Sequence, residues 1–308
     1  MFRALLRCAV AAAGLAACGT VITISVPGGG LSRSFPEGYE RFASPAPHAF
    51  RFSESGEPVR RGKISERFEL RDGDCGGNDC GKPWYRTEIG QTPDATSASL
   101  GSDIWYGWSF YNENLNSVSN QSSLGLMFGQ WKLESDRPSI FRIAQVSLGD
   151  GNWQTCDPAV CDRSGDATMD VVVSLEDMRT ANNWGPEQNS GLVCRLFSMA
   201  QNRGKWVDLV ANTNFSPDAN GYLRIWVNGE LRCNYSGPLV SVTSALKSAK
   251  DPNQRRGIFA ARAETWETAN VGAIKPTMVV YYDEFLEGER REDVDPHYRE
   301  ANRIKPKD

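Results

Sequence analysis

In the stretch Trp84-Tyr85-Arg86-Thr87-Glu88-Ile89 an arginine and a glutamate stand two residues apart. That spacing puts Trp84, Arg86 and Glu88 on one face of a β-strand and Tyr85, Thr87 and Ile89 on the other. A guanidinium oriented by a carboxylate, beside a large ring, is equipped to hold an anion. The plainer alternative is a surface ion pair contributing about 0–1 kcal/mol. Neighbouring stretches favour the first. Met127-Phe128-Gly129-Gln130-Trp131-Lys132 sets Gln130 and Lys132 on the face of Phe128. Arg142 interrupts the apolar run Ile140-Phe141-Arg142-Ile143, and Trp105-Tyr106-Gly107-Trp108-Ser109-Phe110-Tyr111 carries rings on both faces. Arg, Glu, Gln and Lys among aromatic rings suit an acidic sugar polymer. Rings stack on sugar faces, amides and guanidinium hold carboxylates, and fixed donors stabilise developing charge.

Short strands must position these groups. Alternating or apolar runs broken by turn residues predict strands over 49–53, 67–71, 84–89, 104–111, 124–133, 140–147, 169–174, 192–197, 206–212, 222–228, 257–262 and 278–286. Asn228-Gly229 is the dipeptide of a tight type I′ hairpin turn. Helical periodicity is confined to short segments at 175–182 and 239–248. Many evenly spaced strands without interleaved helices predict an all-β fold, two packed antiparallel sheets in a sandwich or jelly roll.

At 308 residues, 40% of them hydrophobic and with 9 Trp, 13 Phe and 9 Tyr, the chain can build a large core. The formal net charge of −4 lacks the basic footprint of general nucleic-acid binding. Residues 1–17 have a short basic start and an alanine-rich apolar stretch, the layout of a secretory signal peptide. Leu15-Ala16-Ala17-Cys18 resembles a lipobox, with Cys18 as the lipidated residue; the alternative is cleavage at an Ala-x-Ala-like site and release. Residues 18–47 read as a lipidated or flexible tether, 48–298 as the β domain and 299–308 as a C-terminal tail. The protein is expected to be exported: periplasmic or anchored at the outer membrane, otherwise secreted. Its contact with a membrane would be through the lipid alone.

Six further cysteines fit an oxidising compartment. Cys75–Cys80 and Cys156–Cys161 are local pairs, which leaves Cys194–Cys233 as a long-range clasp. Zinc is the competing reading, but neither short pair is Cys-x-x-Cys and only His48 and His297 would assist. Asp72, Asp74, Asn78 and Asp79 surround the first pair; they would bind calcium or simply form a polar turn pinned by the disulfide. Asp283 is a second metal candidate, its alternative a structural hydrogen bond at a sheet edge. No other cofactor is called for.

The order of motifs resembles the polysaccharide lyase family that includes heparin lyase I and glucuronan lyases. The matching pieces are Tyr85-Arg86-Thr87-Glu88, Trp105-Tyr106-Gly107-Trp108-Ser109-Phe110 and Phe128-Gly129-Gln130-Trp131. After them come Lys205-Trp206-Val207-Asp208, Gly221-Tyr222-Leu223-Arg224-Ile225-Trp226-Val227-Asn228-Gly229, Arg256-Gly257-Ile258-Phe259 and Tyr281-Tyr282-Asp283-Glu284-Phe285, spread over roughly 49–296. The resemblance implies a concanavalin-like β-jelly roll that cleaves a uronic-acid-containing polysaccharide by β-elimination; a monomer is expected. A base removes the C5 proton of a uronate whose carboxylate has been neutralised, and an acid protonates the departing glycosidic oxygen. Carried over by position, Arg86 and Gln130 neutralise and Glu88 orients Arg86; Glu88, Trp108, Arg142 and Arg256 are the candidate substrate-binding residues. Lys132 stands where relatives carry a histidine, as base or second neutraliser. As a base it would need a pKa lowered by desolvation or by positive charge such as Arg142. The relatives' Lys/Arg-x-Gly-Ile-Tyr strand ends here in Phe259, so Tyr106, Tyr281 and Tyr282 stand in as candidate acids, Tyr106 and Tyr282 foremost.

Three other readings are weighed against this one. A tethered, non-catalytic glycan-binding jelly roll would keep the groove without the acid–base pair. A glycoside hydrolase needs paired carboxylates across the groove, and Glu88 stands alone. A serine hydrolase needs a Gly-x-Ser-x-Gly elbow, which the sequence lacks.

Overall fold

The computed structural model describes residues 35–82, 84–118, 124–133, 137–147, 168–181, 191–248 and 251–308. Fourteen strands form two antiparallel sheets of seven, with few short helices among the described residues. The first sheet holds, in spatial order, β1 (Tyr39–Phe42), β4 (Tyr85–Gln91), β13 (Asn253–Ala260), β6 (Leu126–Lys132), β7 (Phe141–Gln145), β8 (Val171–Ser174) and β9 (Leu192–Phe197). The second holds β12 (Glu230–Ser236), β11 (Tyr222–Val227), β10 (Trp206–Thr213), β5 (Ile104–Asn112), β14 (Met278–Gly288), β3 (Glu66–Leu70) and β2 (Phe50–Phe52). This is the expected all-β jelly roll. Asn228 and Gly229, with φ of 49° and 82°, make the β11–β12 turn that the sequence predicts.

The sheets pack through aromatic rings. Tyr106, Trp108 and Phe110 point inward from β5, where alternation puts them on one face. They meet Trp131 of β6 at ring separations of 5.5 Å from Tyr106 and 5.8 Å from Trp108, and Trp131 stacks on Phe141 at 4.3 Å. Side chains also cross the interior: Arg256 of β13 forms a buried ion pair with Glu66 of β3 at 2.5 Å, and the Tyr282 hydroxyl donates to the Phe128 and Gly257 carbonyls. The disulfide Cys194–Cys233 joins β9 to β12, the outermost strands of the two sheets on one side.

The domain starts earlier and ends later than the sequence reading places it. Tyr39–Phe42, expected within the tether, pairs with β4 in full register from Tyr39↔Gln91 to Phe42↔Glu88. At the other end the Asp308 carboxylate accepts the backbone N–H groups of Lys63 and Ile64 at 2.6 and 2.7 Å, so the last residues lie on the domain. The signal peptide, Cys18, the remainder of the tether, and the Cys156–Cys161 pair lie outside the described residues.

β-Bulges alter the face assignments. A register shift between Met127 and Gly129 turns Phe128 inward, against Phe110 at 5.3 Å, while Gln130 and Lys132 stay on the outer face. Strict alternation had put all three together; the extra residue in one strand breaks that parity.

Candidate active site

Antiparallel partners share a face, so register fixes which groups meet on the outside of the first sheet. Opposite Gln130 stand Arg255 on one side and Arg142 on the other; Lys132 faces Asn253, Arg86 faces Phe259, and Glu88 faces Gly257. Gly257 has φ 133°, and a Cβ there would lie 2.2 Å from the Thr87 carbonyl oxygen and 2.8 Å from the Glu88 Cα. Only glycine lets β13 approach the Glu88 backbone this closely.

A groove of about 490 Å³ opens over this face, walled by Arg41, Phe42, Asp79, Lys82, Trp84 and Phe259 and floored by Arg86, Gln130, Lys132 and Arg255. Its polar groups are tied to one another. The Gln130 amide nitrogen donates to the Glu88 carboxylate at 2.6 Å, and its carbonyl accepts the Ser139 hydroxyl at 2.9 Å. Glu88 and Gln130 are both buried. A half-satisfied buried carboxylate is costly, and here the second Glu88 oxygen has no hydrogen bond and only the Arg86 guanidinium at 3.5 Å. Arg86 gives its Nε and one Nη to Asp79 at 2.7 and 3.0 Å, a bidentate pair. Its guanidinium also lies 4.9 Å from the Phe42 ring, 5.3 Å from Trp84 and 5.7 Å from Phe259. Trp84 is 40% exposed, and the Lys82 ammonium sits 4.2 Å from its ring centre.

Asp79 is held in place by the disulfide Cys75–Cys80, which closes the short loop around it. The other carboxylates of that cluster are also engaged: Asp74 with His48 at 2.9 Å and with the Arg71 N–H, and Asp72 with Lys275 at 3.2 Å. Among the described residues no group of three or more His, Cys, Asp or Glu side chains is placed to hold a metal ion. Asp283 lies inside its sheet, on β14 between β5 and β3, and its carboxylate accepts the N–H groups of Arg60 and Arg61 at 2.6 and 3.1 Å. Burial pushes its pKa up to about 7.

Of the residues singled out in the sequence, Arg86, Gln130 and Lys132 line the groove, and Glu88, buried, meets Gln130 and Arg86. Arg142 lies on the same face, two strands from β13, and pairs with Glu176 at 2.7 Å. Burial lowers its pKa, opposed by the Glu176 charge. Four others are corrected. Tyr106, Trp108, Tyr282 and Arg256 all lie between the sheets, each no more than 3% exposed. Their position between the sheets keeps the two tyrosine hydroxyls from the outer face, and burial raises both phenol pKa values well above the usual value. Arg256 is occupied by Glu66 and by the rings of Tyr39 and Phe285, at 4.3 and 4.7 Å. Tyr281 is buried as well, its hydroxyl accepting from Arg67 at 3.1 Å. Sequence reasoning missed Asp79 as the Arg86 anchor and the contributions of Arg41 and Phe42. It also missed Arg255, although strand parity with Gly257 and Phe259 would have placed that residue on the groove face.

A cationic, ring-walled groove thus runs across one sheet of a two-sheet jelly roll. The chain belongs to the polysaccharide lyase family: the family model described as Polysaccharide lyase matches residues 37–286. It is similar to the solved endo-β-1,4-glucuronan lyase of the fungus Trichoderma reesei, with 16% identity over 86% of this chain and 98% of that one, at a TM-score of 0.49. It is also similar to the family 7 alginate lyase AlgAT5, with 11% identity over 82% and 94% of the two chains and a TM-score of 0.46. An alginate lyase from Corynebacterium sp. gives 9% identity, 82% and 93% coverage, and a TM-score of 0.43. No curated protein sequence matches the chain.

Proposed function

We propose that the protein is an exported lyase that cleaves a uronic-acid-containing polysaccharide by β-elimination in the groove on the first sheet. The observation that carries this reading is the polar set Arg86 and Glu88 on β4 with Gln130 and Lys132 on β6, the strands on either side of β13, at a groove rich in cations. A polyuronate supplies the matching negative charge, and Trp84 offers an exposed ring for a sugar face. Two disulfides support export to an oxidising compartment.

In this mechanism Gln130 and the groove cations draw charge from the uronate carboxylate, which acidifies the C5 proton. Lys132, as the free amine, removes that proton. The C5–H electron pair becomes the C4–C5 double bond and the C4–O bond breaks. The ammonium formed on Lys132 returns its proton to the departing oxygen.

The test is ultraviolet absorbance of unsaturated uronate on a panel of glucuronan, alginate, heparin-type and pectin polymers. One polymer is expected to give a rising signal. Lys132→Ala should lower the rate by about 100-fold or more, the scale of a lost general base. Retained binding with no new absorbance on any polymer would instead identify a glycan-binding domain.

A further inference from the structure

The two described disulfides differ in what a thiol in solution can reach. Cys194 and Cys233 are 1% and 0% exposed, whereas Cys80 is exposed and Cys75 half-buried. Cys75–Cys80 also closes a sequence separation of only 5, so chain entropy protects it less than a long-loop bridge. Exposed disulfides exchange readily with thiols, and buried structural ones resist.

The accessible disulfide is the one joined to the groove. Its turn places Gly76, Gly77, Asp79 and Lys82 in the groove wall. Asp79 takes the Arg86 guanidinium at 2.7 and 3.0 Å, while Glu88 stands 3.5 Å from the same group. The half of the turn before the disulfide is moored independently. Asp74 accepts from His48 and from the Arg71 N–H, and Gly76 lies so close to β1's continuation that a Cβ there would be 2.0 Å from the Ala43 carbonyl oxygen. The half that carries Asp79 has less to hold it. Four of the eleven residues 72–82 are glycine, the residue that loses most freedom on ordering. Its regular structure is one short 3-10 helix, Gly77–Gly81. Opening the disulfide therefore leaves Asp79 held by that single helical turn and by Arg86 itself.

Building on the lyase reading, we propose that Cys75–Cys80 is a redox switch on the groove, opened by a dithiol and closed again by the corresponding disulfide. A thiolate of the dithiol attacks the exposed Cys80 sulfur. The Cys75–Cys80 bond breaks, Cys75 leaves as a thiolate and takes up a proton, and Cys80 is held in a mixed disulfide. The second thiol of the reductant then closes on its own sulfur and releases Cys80. The cysteine pair gains two electrons and two protons, and the dithiol becomes a disulfide. With its turn unpinned, Asp79 no longer fixes Arg86, which is released toward Glu88 and competes there with Gln130.

The experiment equilibrates the full chain, without denaturant, at graded ratios of reduced to oxidised dithiothreitol. Free thiols are alkylated and located by peptide mass spectrometry, while elimination and binding of a polyuronate oligosaccharide are measured at each ratio. Cys75 and Cys80 are expected to be alkylated at ratios that leave Cys194 and Cys233 protected. Over that range turnover should fall several-fold and recover fully on return to the oxidised ratio. Cys75→Ser/Cys80→Ser should show the lower turnover at every ratio, and Cys194→Ser/Cys233→Ser should keep the wild-type response. Asp79→Asn, with its disulfide intact, should start at the lower turnover and lose the response, which ties the switch to the Arg86 anchor. Reduction of both pairs together overturns the proposal, as does selective reduction of Cys75–Cys80 with turnover and affinity unchanged. In a wild type that binds polyuronate but never eliminates, the lyase reading fails; affinity that follows the Cys75–Cys80 state then upholds the switch, and constant affinity rejects it. A wild type that neither cleaves nor binds polyuronate rejects both.

Discussion

Glu88 is the residue on which the groove's geometry turns. It is 1% exposed, accepts from Gln130 and faces Arg86, so it fixes both groups at once. Glu88→Ala would leave buried polar groups unpaired and is expected to cost about 3–5 kcal/mol of stability, read by denaturant unfolding. Glu88→Gln keeps the shape and removes the charge; it should unfold nearer the wild type yet lose turnover, because Gln130 would no longer be held in one orientation. Activity in Glu88→Gln equal to the wild type would show that this hydrogen bond is structural only. At this scale the sequence was readable where alternation was uninterrupted. Arg86 and Glu88 flank Thr87, which is fully buried and donates its hydroxyl to the Ala49 carbonyl, so the strand's two faces are unambiguous. Tyr106, Trp108 and Tyr282 were misplaced because an aromatic residue serves a sugar platform and a core equally well, and no local signal separates the two. Arg256 was misplaced because its partner, Glu66, is 190 residues away in sequence.

Among the elements, the two described disulfides sit at opposite functional poles, which permits a paired experiment. Cys75–Cys80 pins the turn that carries Asp79, the anchor of Arg86, and that turn walls the groove. Replacing both cysteines by serine should lower turnover several-fold with a modest loss of stability, since the loop closed is short. Cys194–Cys233 closes a separation of 39 residues and ties strand to strand away from the groove. Its removal should cost about 2–4 kcal/mol while leaving turnover per folded molecule unchanged. Turnover and denaturant midpoints of the two double variants, measured together, check the contrast. Most strands were legible from alternation and turn chemistry, and both of these disulfides from spacing and elimination. Two strands were not. Tyr39–Phe42 is an exposed, polar-patterned edge with little apolar signal of its own. Glu230–Ser236, with alternate residues exposed, is visible mainly as the far arm of the Asn228-Gly229 hairpin.

For the molecule as a whole, charge is distributed against its own sum. The net charge is −4, yet the groove gathers Arg41, Lys82, Arg86, Lys132 and Arg255 against Asp79. Binding of a polyanion should therefore weaken steeply with added salt, as exposed cations are screened within about 10 Å at 0.1 M. An affinity flat across that range would mean that sugar stacking, not charge, dominates. Stability has its own pH dependence through Asp283. Its pKa, held up by burial to about 7, lies above the unfolded value of about 4, so the folded state keeps a proton that the unfolded chain releases. The associated stability is complete below about pH 4 and is lost as pH rises towards 7. Asp283→Asn should flatten that decline in melting temperature. The two sheets, finally, are fastened by different means at their two sides: a covalent bond between β9 and β12, and on the other side the Arg256–Glu66 pair and the Tyr282 hydroxyl. Mechanically the sandwich is a book sewn along one spine and merely clasped along its fore-edge, and the groove's β4 and β13 lie towards the clasp. Thermal opening should swing from the spine, so amide hydrogens of β1 and β2 should exchange ahead of those of β9 and β12, and the pages that part first are those beside the candidate active site.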